Sequence, residues 1–215
     1  MLKLSVLILC YNQENTIEQT IKSIISQKHN YDYELIICDD CSTDKTQETI
    51  KVYHKKYPNI IRQIIRPKNL GLIKNFYDGV SYAKGEYIMI CAGDDYWLQY
   101  KIIEQIKFLD THQHIGLVYG DAQIITENNN LVKINKSTSH TSVEDLLEHY
   151  NICAPTIALR KSDFQQYIDE VAPDKKDWIM EDLPLSIWFK IKNKISYLSG
   201  TVACYRVIEN SISHP

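Results

Sequence analysis

No stretch of these 215 residues approaches the roughly 18 consecutive apolar residues of a membrane-spanning helix. No secretory leader opens the chain either: Met1-Leu2-Lys3 runs straight into a strand pattern. The expected location is therefore cytoplasmic, with peripheral contact at the inner face of a membrane compatible with it. An excess of one charge sign is also missing. Lys and Arg number 24 against 27 Asp and Glu, a net charge of −3, and the basic residues are dispersed, so no nucleic-acid footprint is indicated. The six cysteines (Cys10, Cys38, Cys41, Cys91, Cys153 and Cys204) are scattered and mostly sit in apolar segments. That is the usage of small buried hydrophobes, with no disulfide framework. Cys38-Asp39-Asp40-Cys41 has C-x-x-C spacing, but a second ligand pair for zinc is missing and a redox motif would not enclose two aspartates. There is no G-x-G-x-x-G after the first strand and no G-x-x-x-x-G-K-[ST], which removes the main support for dinucleotide and P-loop binding. Internal repeats, low-complexity tracts and a domain-separating linker are absent as well.

What the chain does contain is organised around residues 86–97. Their first half, Glu86-Tyr87-Ile88-Met89-Ile90-Cys91, reads as a strand buried on both faces. Their second half is a small-residue turn carrying Asp94 and Asp95, then Tyr96 and Trp97. Adjacent carboxylates at the end of a buried strand repel each other and lose hydration, which folding alone does not reward. A divalent cation removes that penalty, and paired carboxylates offer the hard oxygen ligands that Mg²⁺ or Mn²⁺ prefers. The alternative is that one Asp caps a helix starting near Tyr96 and the other is solvated. A second acidic pair, Asp39-Asp40, follows another strand and favours the first reading.

The elements alternate. Residues 4–10 form a strand, Asn15 and Glu18 have capping-box spacing, and Ile17, Ile21, Ile24 and Ile25 mark a helix face. Residues 34–38 are a second strand ending at Asp39-Asp40. Asp44 and Gln47 can cap the next helix, which Pro58 ends. Residues 60–65 form a strand, Asn69-Leu70-Gly71 a turn, and Ile73, Phe76, Val80 and Ala83 a helix face that Gly85 stops. After the central strand, Ile102, Ile103, Ile106 and Leu109 mark another helix. This β-α-β-α-β order predicts an α/β fold with a mostly parallel sheet and helices on both faces. Ligands in such sheets lie at the carboxyl ends of the strands, where Tyr11, Asp39-Asp40 and Asp94-Asp95 all fall. Beyond about Leu117 the pattern becomes α+β, with a hairpin or loop at 128–130 and closing strands at 197 and 202–207. Residues 1–115 and 116–215 are read as two halves of the same domain.

Several of these segments resemble, in order and spacing, the family 2 glycosyltransferases. They are Val6-Leu7-Ile8-Leu9-Cys10-Tyr11-Asn12, Asp39-Asp40-Cys41-Ser42-Thr43-Asp44, Asn69-Leu70-Gly71, Ala83-Lys84-Gly85-Glu86-Tyr87-Ile88 and Gly93-Asp94-Asp95-Tyr96-Trp97. Glu181-Asp182 and Tyr205-Arg206-Val207, followed by Ser211 and Ser213, continue the match. The resemblance implies a GT-A fold and a metal-dependent, inverting transfer of one sugar. The implied donor is a nucleotide-diphospho-sugar, UDP- or TDP-linked favoured. The implied acceptor is a saccharide or lipid-linked saccharide, precursor of a surface polysaccharide or glycolipid.

On the same resemblance, Cys10, Tyr11 and Glu14 belong to the nucleotide-sugar loop, with Tyr11 against the base. Asp40 accepts a hydrogen bond from the base and Asp39 orients the loop. Asp94 contacts ribose or metal, and Asp95 ligates Mn²⁺ or Mg²⁺. Lys74 and Arg206 approach the diphosphate, Arg206 with Glu209 as a competing partner. Glu181-Asp182 holds the catalytic base, assigned to Asp182. Two positions depart from the family: Ala92 stands where an Asp-x-Asp would begin, and Phe76 where an arginine is common. The processive Gln-x-x-Arg-Trp motif is absent. The competing readings are a sugar-nucleotide pyrophosphorylase, which lacks its Gly-rich signature here, and a non-catalytic nucleotide-sugar-binding module.

Overall fold

The computed structural model describes residues 2–207. Its centre is a nine-stranded sheet in the order β3-β2-β1-β4-β8-β6-β9-β5, with β7 paired to β6. The parallel block is β1 (Leu4–Cys10), β2 (Tyr33–Asp39), β3 (Ile61–Ile65) and β4 (Tyr87–Ala92). β8 (Ala158–Arg160) lies antiparallel between β4 and β6 (Leu117–Thr126), so β6 regains the direction of the block, and β9 (Ile195–Val207) runs parallel to it. Only β8, β7 (Leu131–Asn135) and β5 (Tyr96–Trp97) run the other way. The sheet is thus α/β and mostly parallel, as the alternation predicts. It continues through both halves of the chain.

Period-two alternation on β1 divides the core. Leu4, Val6 and Ile8 pack with Ile17, Ile21 and Ile24 of α1 (Ile17–Ile25), Ile50 of α2 (Thr46–Lys56) and Ile102, Ile106 and Leu109 of α4 (Lys101–Thr111). Leu7 and Leu9 face the other layer. There Phe76 and Val80 of α3 (Leu72–Ser81), Phe164 and Tyr167 of α6 (Lys161–Val171) and Trp188 and Phe189 of α7 (Asp182–Ile191) close the core. The short α5 (Val143–Glu148) adds Leu146 to that layer.

Some local signals resolve differently from their sequence reading. The Asn15–Glu18 capping box does not form. α1 begins after Thr16, no side chain caps it, and Glu18 instead meets Lys22 and Tyr53. Asp44 does accept the Thr46 amide at the start of α2, but Gln47 turns to Asp39 and the Ser42 carbonyl. α3 ends at Ser81, short of Gly85. Gly85 is required for another reason: a Cβ there would stand 2.4 Å from the Ser5 nitrogen of β1. Tyr96 and Trp97 pair with Cys204 and Ala203 of β9 instead of opening a helix. The two closing strands are one, bent by a register shift beside Gly200, whose φ is +136°.

Candidate active site

The chain order β1-β2-β3 runs outward on one side of β1, and β4 then returns on the other. The carboxyl ends of β1 and β4 therefore border the crevice where such sheets bind ligands. The loop after β1 is laced to the loop after β2. Asn12, at φ 51°, donates its N–H to Ser42 Oγ and accepts the Thr43 N–H on Oδ1 (2.9 and 2.8 Å). The Gln13 and Glu14 amides donate to Thr46 Oγ1 and Asp44 Oδ2. The Glu14 carboxylate accepts the Lys45 amide at 2.9 Å, so its contact in this structure is with the first turn of α2. Cys10 points its thiol into the sheet, toward the Cys38 carbonyl, and burial pushes that thiol well up. Tyr11 is the outward member, 47% exposed on the crevice rim.

The two members of Asp39-Asp40 have separate duties. Asp39 accepts the Ser42 amide and the Gln47 side-chain amide on one oxygen, which fixes its own loop. Asp40 accepts the Leu70 N–H on Oδ1 (2.8 Å) and the Gly71 N–H on Oδ2 (2.9 Å), bracing the turn that leads into α3. Each oxygen keeps a lone pair for a further donor. Lys74 stands exposed on the first turn of α3, whereas Phe76 is buried in the core. Asp40→Asn should lower stability by about 1–3 kcal/mol, because the two amides aim at different oxygens and the new NH₂ faces one of these donors. A urea melt within 0.5 kcal/mol (about the scatter of a neutral surface substitution) of the parent would show that the brace is dispensable.

The acidic turn after β4 is held from beneath. Thr20 Oγ1 donates to the carbonyls of Gly93 (2.9 Å) and Asp95 (2.6 Å), and Thr16 Oγ1 donates to Gly93 O. Gly93 admits no side chain, since a Cβ would stand 2.2 Å from Gln13 Oε1 and 2.8 Å from the Cys10 Cβ. The Gln13 side chain reaches Asp94, and its Oε1 is buried without a partner. Asp95 is 2% exposed and accepts the Arg206 amide on Oδ1 at 2.8 Å. Burial, then the neighbouring Asp94, holds the Asp95 carboxyl well above its ordinary range, and burial raises Asp94 too. These acids resist ionisation unless a cation joins them. Among the described residues no third Asp, Glu, His or Cys completes a metal-holding cluster. The donor set therefore fits an oxygen-seeking divalent ion that takes its other ligands from water and phosphate.

Arg206 is engaged by protein partners in this structure. It is buried, its Nε donates to Asp94 O (2.7 Å), and Nη1 donates to Glu127 O and Thr126 O at the β6–β7 turn. Nη2 donates to Gln19 Oε1 and Asn129 Oδ1. In this structure the guanidinium clamps three segments together behind the acidic turn, with every nitrogen engaged by protein. Glu209, Ser211 and Ser213 lie outside the described residues.

Glu181 and Asp182 stand at the N-terminus of α7. Burial first, then the Asp182 charge, raises the Glu181 carboxyl to about 7. Asp182 is raised by burial, offset by its bond from the Leu183 N–H (2.8 Å). The Tyr150 phenol faces Asp182 and Ser186 without closing a hydrogen bond. Burial raises the Cys153 thiol to about 11, and the charges of both Asp95 and Asp182 bear on it as well. The sequence reading missed Gln13, Thr20, Tyr150 and Cys153, none of which carries a local signal.

These raised carboxyls set a pH dependence. The native state keeps the Glu181 proton between its ordinary value of 4.5 and about 7, where the unfolded chain has lost it. Glu181 therefore contributes a loss of metal-free stability as pH rises through that window, in the same direction as Asp94 and Asp95 and opposed by His29 and His140, which burial lowers. Melting curves of wild type and Glu181→Gln across the window test this, and the variant should gain on the wild type as pH rises. A constant difference between the two would contradict it.

Comparison with known proteins places this geometry. The model described as "Glycosyl transferase family 2" matches residues 5–168. An uncharacterised protein of Mycobacterium tuberculosis is 31% identical over 217 residues, 98% of this chain and 60% of that one. The Escherichia coli "UDP-Glc:alpha-D-GlcNAc-diphosphoundecaprenol beta-1,3-glucosyltransferase WfaP" is 29% identical, covering 97% of this chain and 79% of that one. Among solved structures, Staphylococcus aureus TarS in complex with UDP-GlcNAc superposes with a TM-score of 0.74 at 21% identity, over 98% of this chain and 60% of that one. The Pyrobaculum calidifontis mannosyltransferase PcManGT, with GDP-Man and Mn²⁺, gives 0.70 at 14% identity, over 98% and 58%. The chain thus spans about 60% of the mycobacterial relative and of the 1–349 segment of TarS. The fold is that of the GT-A glycosyltransferase structures, and the chain belongs to glycosyl transferase family 2.

Proposed function

We propose that this chain is the catalytic part of an inverting glycosyltransferase that moves one sugar from a nucleotide-diphospho-sugar to an acceptor hydroxyl. The observation that carries the reading is the Asp94-Asp95 pair at the carboxyl end of β4, half-buried and buried respectively, whose carboxyls resist ionisation without a cation. Asp94 and Asp95 would hold Mn²⁺ or Mg²⁺ together with the diphosphate oxygens. When bound, that cation supplies Lewis-acid stabilisation of the charge building on the leaving nucleoside diphosphate. Tyr11 offers its exposed face to the base, and a remaining lone pair of Asp40 accepts the imino N–H of uracil or thymine. Exposed Lys74 is available to a phosphate.

Across the cleft, Asp182 takes the proton of the acceptor hydroxyl as that oxygen attacks the anomeric carbon. The bond from this carbon to the diphosphate oxygen breaks in the same displacement, which inverts the centre. Asp182 suits the role better than Glu181, whose carboxyl keeps its proton up to about pH 7. Residues 1–115 serve the donor and the described part of 116–215 serves the acceptor. A uridine donor is in keeping with the UDP-sugars named for TarS and the E. coli relative, and PcManGT is the contrast with its GDP-Man. The undecaprenol-linked acceptor in the E. coli relative's name favours a lipid-linked saccharide, precursor of a surface glycan. No helix among the described residues is long and apolar enough to cross a membrane.

Calorimetric titration with UDP, TDP, GDP and ADP, with Mn²⁺ and with EDTA, tests the donor half. UDP or TDP should bind about ten-fold or more tightly than ADP, the consequence of leaving a buried polar group unpaired. Equal affinities for all four nucleotides would remove Asp40 from base selection.

A further inference from the structure

Lys101 is a buried amine whose pKa burial lowers to about 7, with a purpose the acid pairs do not explain. It is the first residue of α4, following Tyr100 at φ 73°, and it is fully buried. Its hydrogen-bond partners are all uncharged. Nζ donates to Gln105 Oε1, to Thr156 O at 3.1 Å and to Ile157 O at 3.3 Å. The ammonium also lies 4.9 Å from the centre of the Trp97 ring, at the end of the acidic turn. Gln105 Nε2 adds a second bond to Thr156 O at 2.7 Å. Thr156 in turn binds the Cys153 carbonyl through both its amide (2.9 Å) and its hydroxyl (2.7 Å). Two side chains on one turn of α4 thereby fix the 3-10 turn Ala154–Thr156 and, through it, Cys153.

The 154–156 turn packs against β4, β6 and β9, the charges of Asp95 and Asp182 both bear on the Cys153 thiol, and Asn135 Nδ2 donates to its sulfur at 3.2 Å. An apolar side chain of similar length would fill the Lys101 position without the desolvation penalty of a buried charge, and such replacements are often neutral or stabilising. What the ammonium adds is direction: two carbonyls of the 156–157 segment are drawn to a single point.

We propose that Lys101 is a positioning residue of the transfer site, whose buried ammonium holds residues 153–157 as the wall between the metal-side acids and the Glu181-Asp182 pair. This rests on the glycosyl-transfer reading for its consequence, though not for its geometry. Displacing that wall by about 1 Å separates the base from the donor carbon, a misplacement that can lower a rate about 10²-fold without touching the nucleotide contacts.

The test uses Lys101→Met and N-ethylmaleimide. Alkylation of Cys153 is followed by peptide mass spectrometry, with the partly exposed Cys41 as internal reference. The Cys153-to-Cys41 rate ratio should rise about ten-fold, the effect of a local opening made easier by one factor of ten. UDP affinity in Mn²⁺ should stay near wild type, while kcat for consumption of the accepted nucleotide sugar falls and its KM does not. An unchanged ratio in a folded variant overturns the proposal, as does a loss confined to KM. Should Lys101→Met not fold, Gln105→Leu removes the second donor to Thr156 and keeps the charge. The same rise in ratio is expected there, and its absence is equally decisive. A raised ratio in a protein whose wild type consumes no nucleotide sugar supports the clamp and counts against the glycosyl-transfer reading instead.

Discussion

Asp95→Asn is expected to move stability and binding in opposite directions. The amide is nearly isosteric and its oxygen can still accept the Arg206 N–H, so the junction between the acidic turn and β9 survives. It also removes a carboxyl that burial and Asp94 hold far above its ordinary range. The metal-free protein should therefore melt higher than wild type at neutral pH, where the wild type is destabilised by forcing that group toward ionisation. Nucleoside diphosphate binding should lose its dependence on Mn²⁺. Turnover should drop by about 10²–10³-fold, in line with the several kcal/mol a Lewis acid contributes to a transition state. A structural carboxylate would behave otherwise, with stability falling and the metal dependence of binding unchanged. Calorimetry and a thermal melt on the same preparation separate the two.

Asp182→Asn should leave donor binding near wild type, lift the melting temperature slightly by removing a raised carboxyl beside Glu181, and remove the chemistry. Its oxygen can still accept the Leu183 N–H at the start of α7, and neither the core nor the acidic turn is altered. The general-base contribution is typically about 10²–10⁴-fold, so transfer to the acceptor should fall by that range. Had Asp182 only favoured the helix dipole, its loss would cost at most about 1 kcal/mol of stability and nothing in rate. Full activity in Asp182→Asn, with loss in Glu181→Gln, would reassign the base to Glu181.

Much of this arrangement is legible in sequence because it is local. A buried strand announces itself by an apolar run, and the acids that follow β2 and β4 sit at strand ends by position alone. Contacts closed over long separations are not legible in this way. Asp40 and the Leu70 and Gly71 amides meet across about thirty residues, and no feature of Asp39-Asp40 says which carboxylate turns outward. Arg206 lies beside Tyr205 in a motif that suggests a phosphate contact. Its side chain is nevertheless drawn back by carbonyls of the β6–β7 turn and by Asp94, from far along the chain. The Asn15–Glu18 spacing fits a capping box, yet Thr16 and Thr20 take the acidic turn as partner and the helix starts later. Tyr96-Trp97 is too short to read as a strand until β9 pairs with it. In each case tertiary partners decide the use of a residue whose local propensity is nearly neutral.

The central claim is that this cleft transfers a sugar from a nucleotide diphosphate, and turnover of a donor panel tests it most directly. UDP-, TDP-, GDP- and ADP-sugars are incubated with the protein and Mn²⁺, with EDTA controls and with Asp95→Asn. Release of nucleoside diphosphate is followed by chromatography and the anomeric configuration of the sugar product by NMR. The expected result is consumption of at least one UDP- or TDP-sugar, its arrest by EDTA and by Asp95→Asn, and a first-formed product of inverted configuration. Retention of configuration, or turnover that is the same in EDTA as in Mn²⁺, would contradict it.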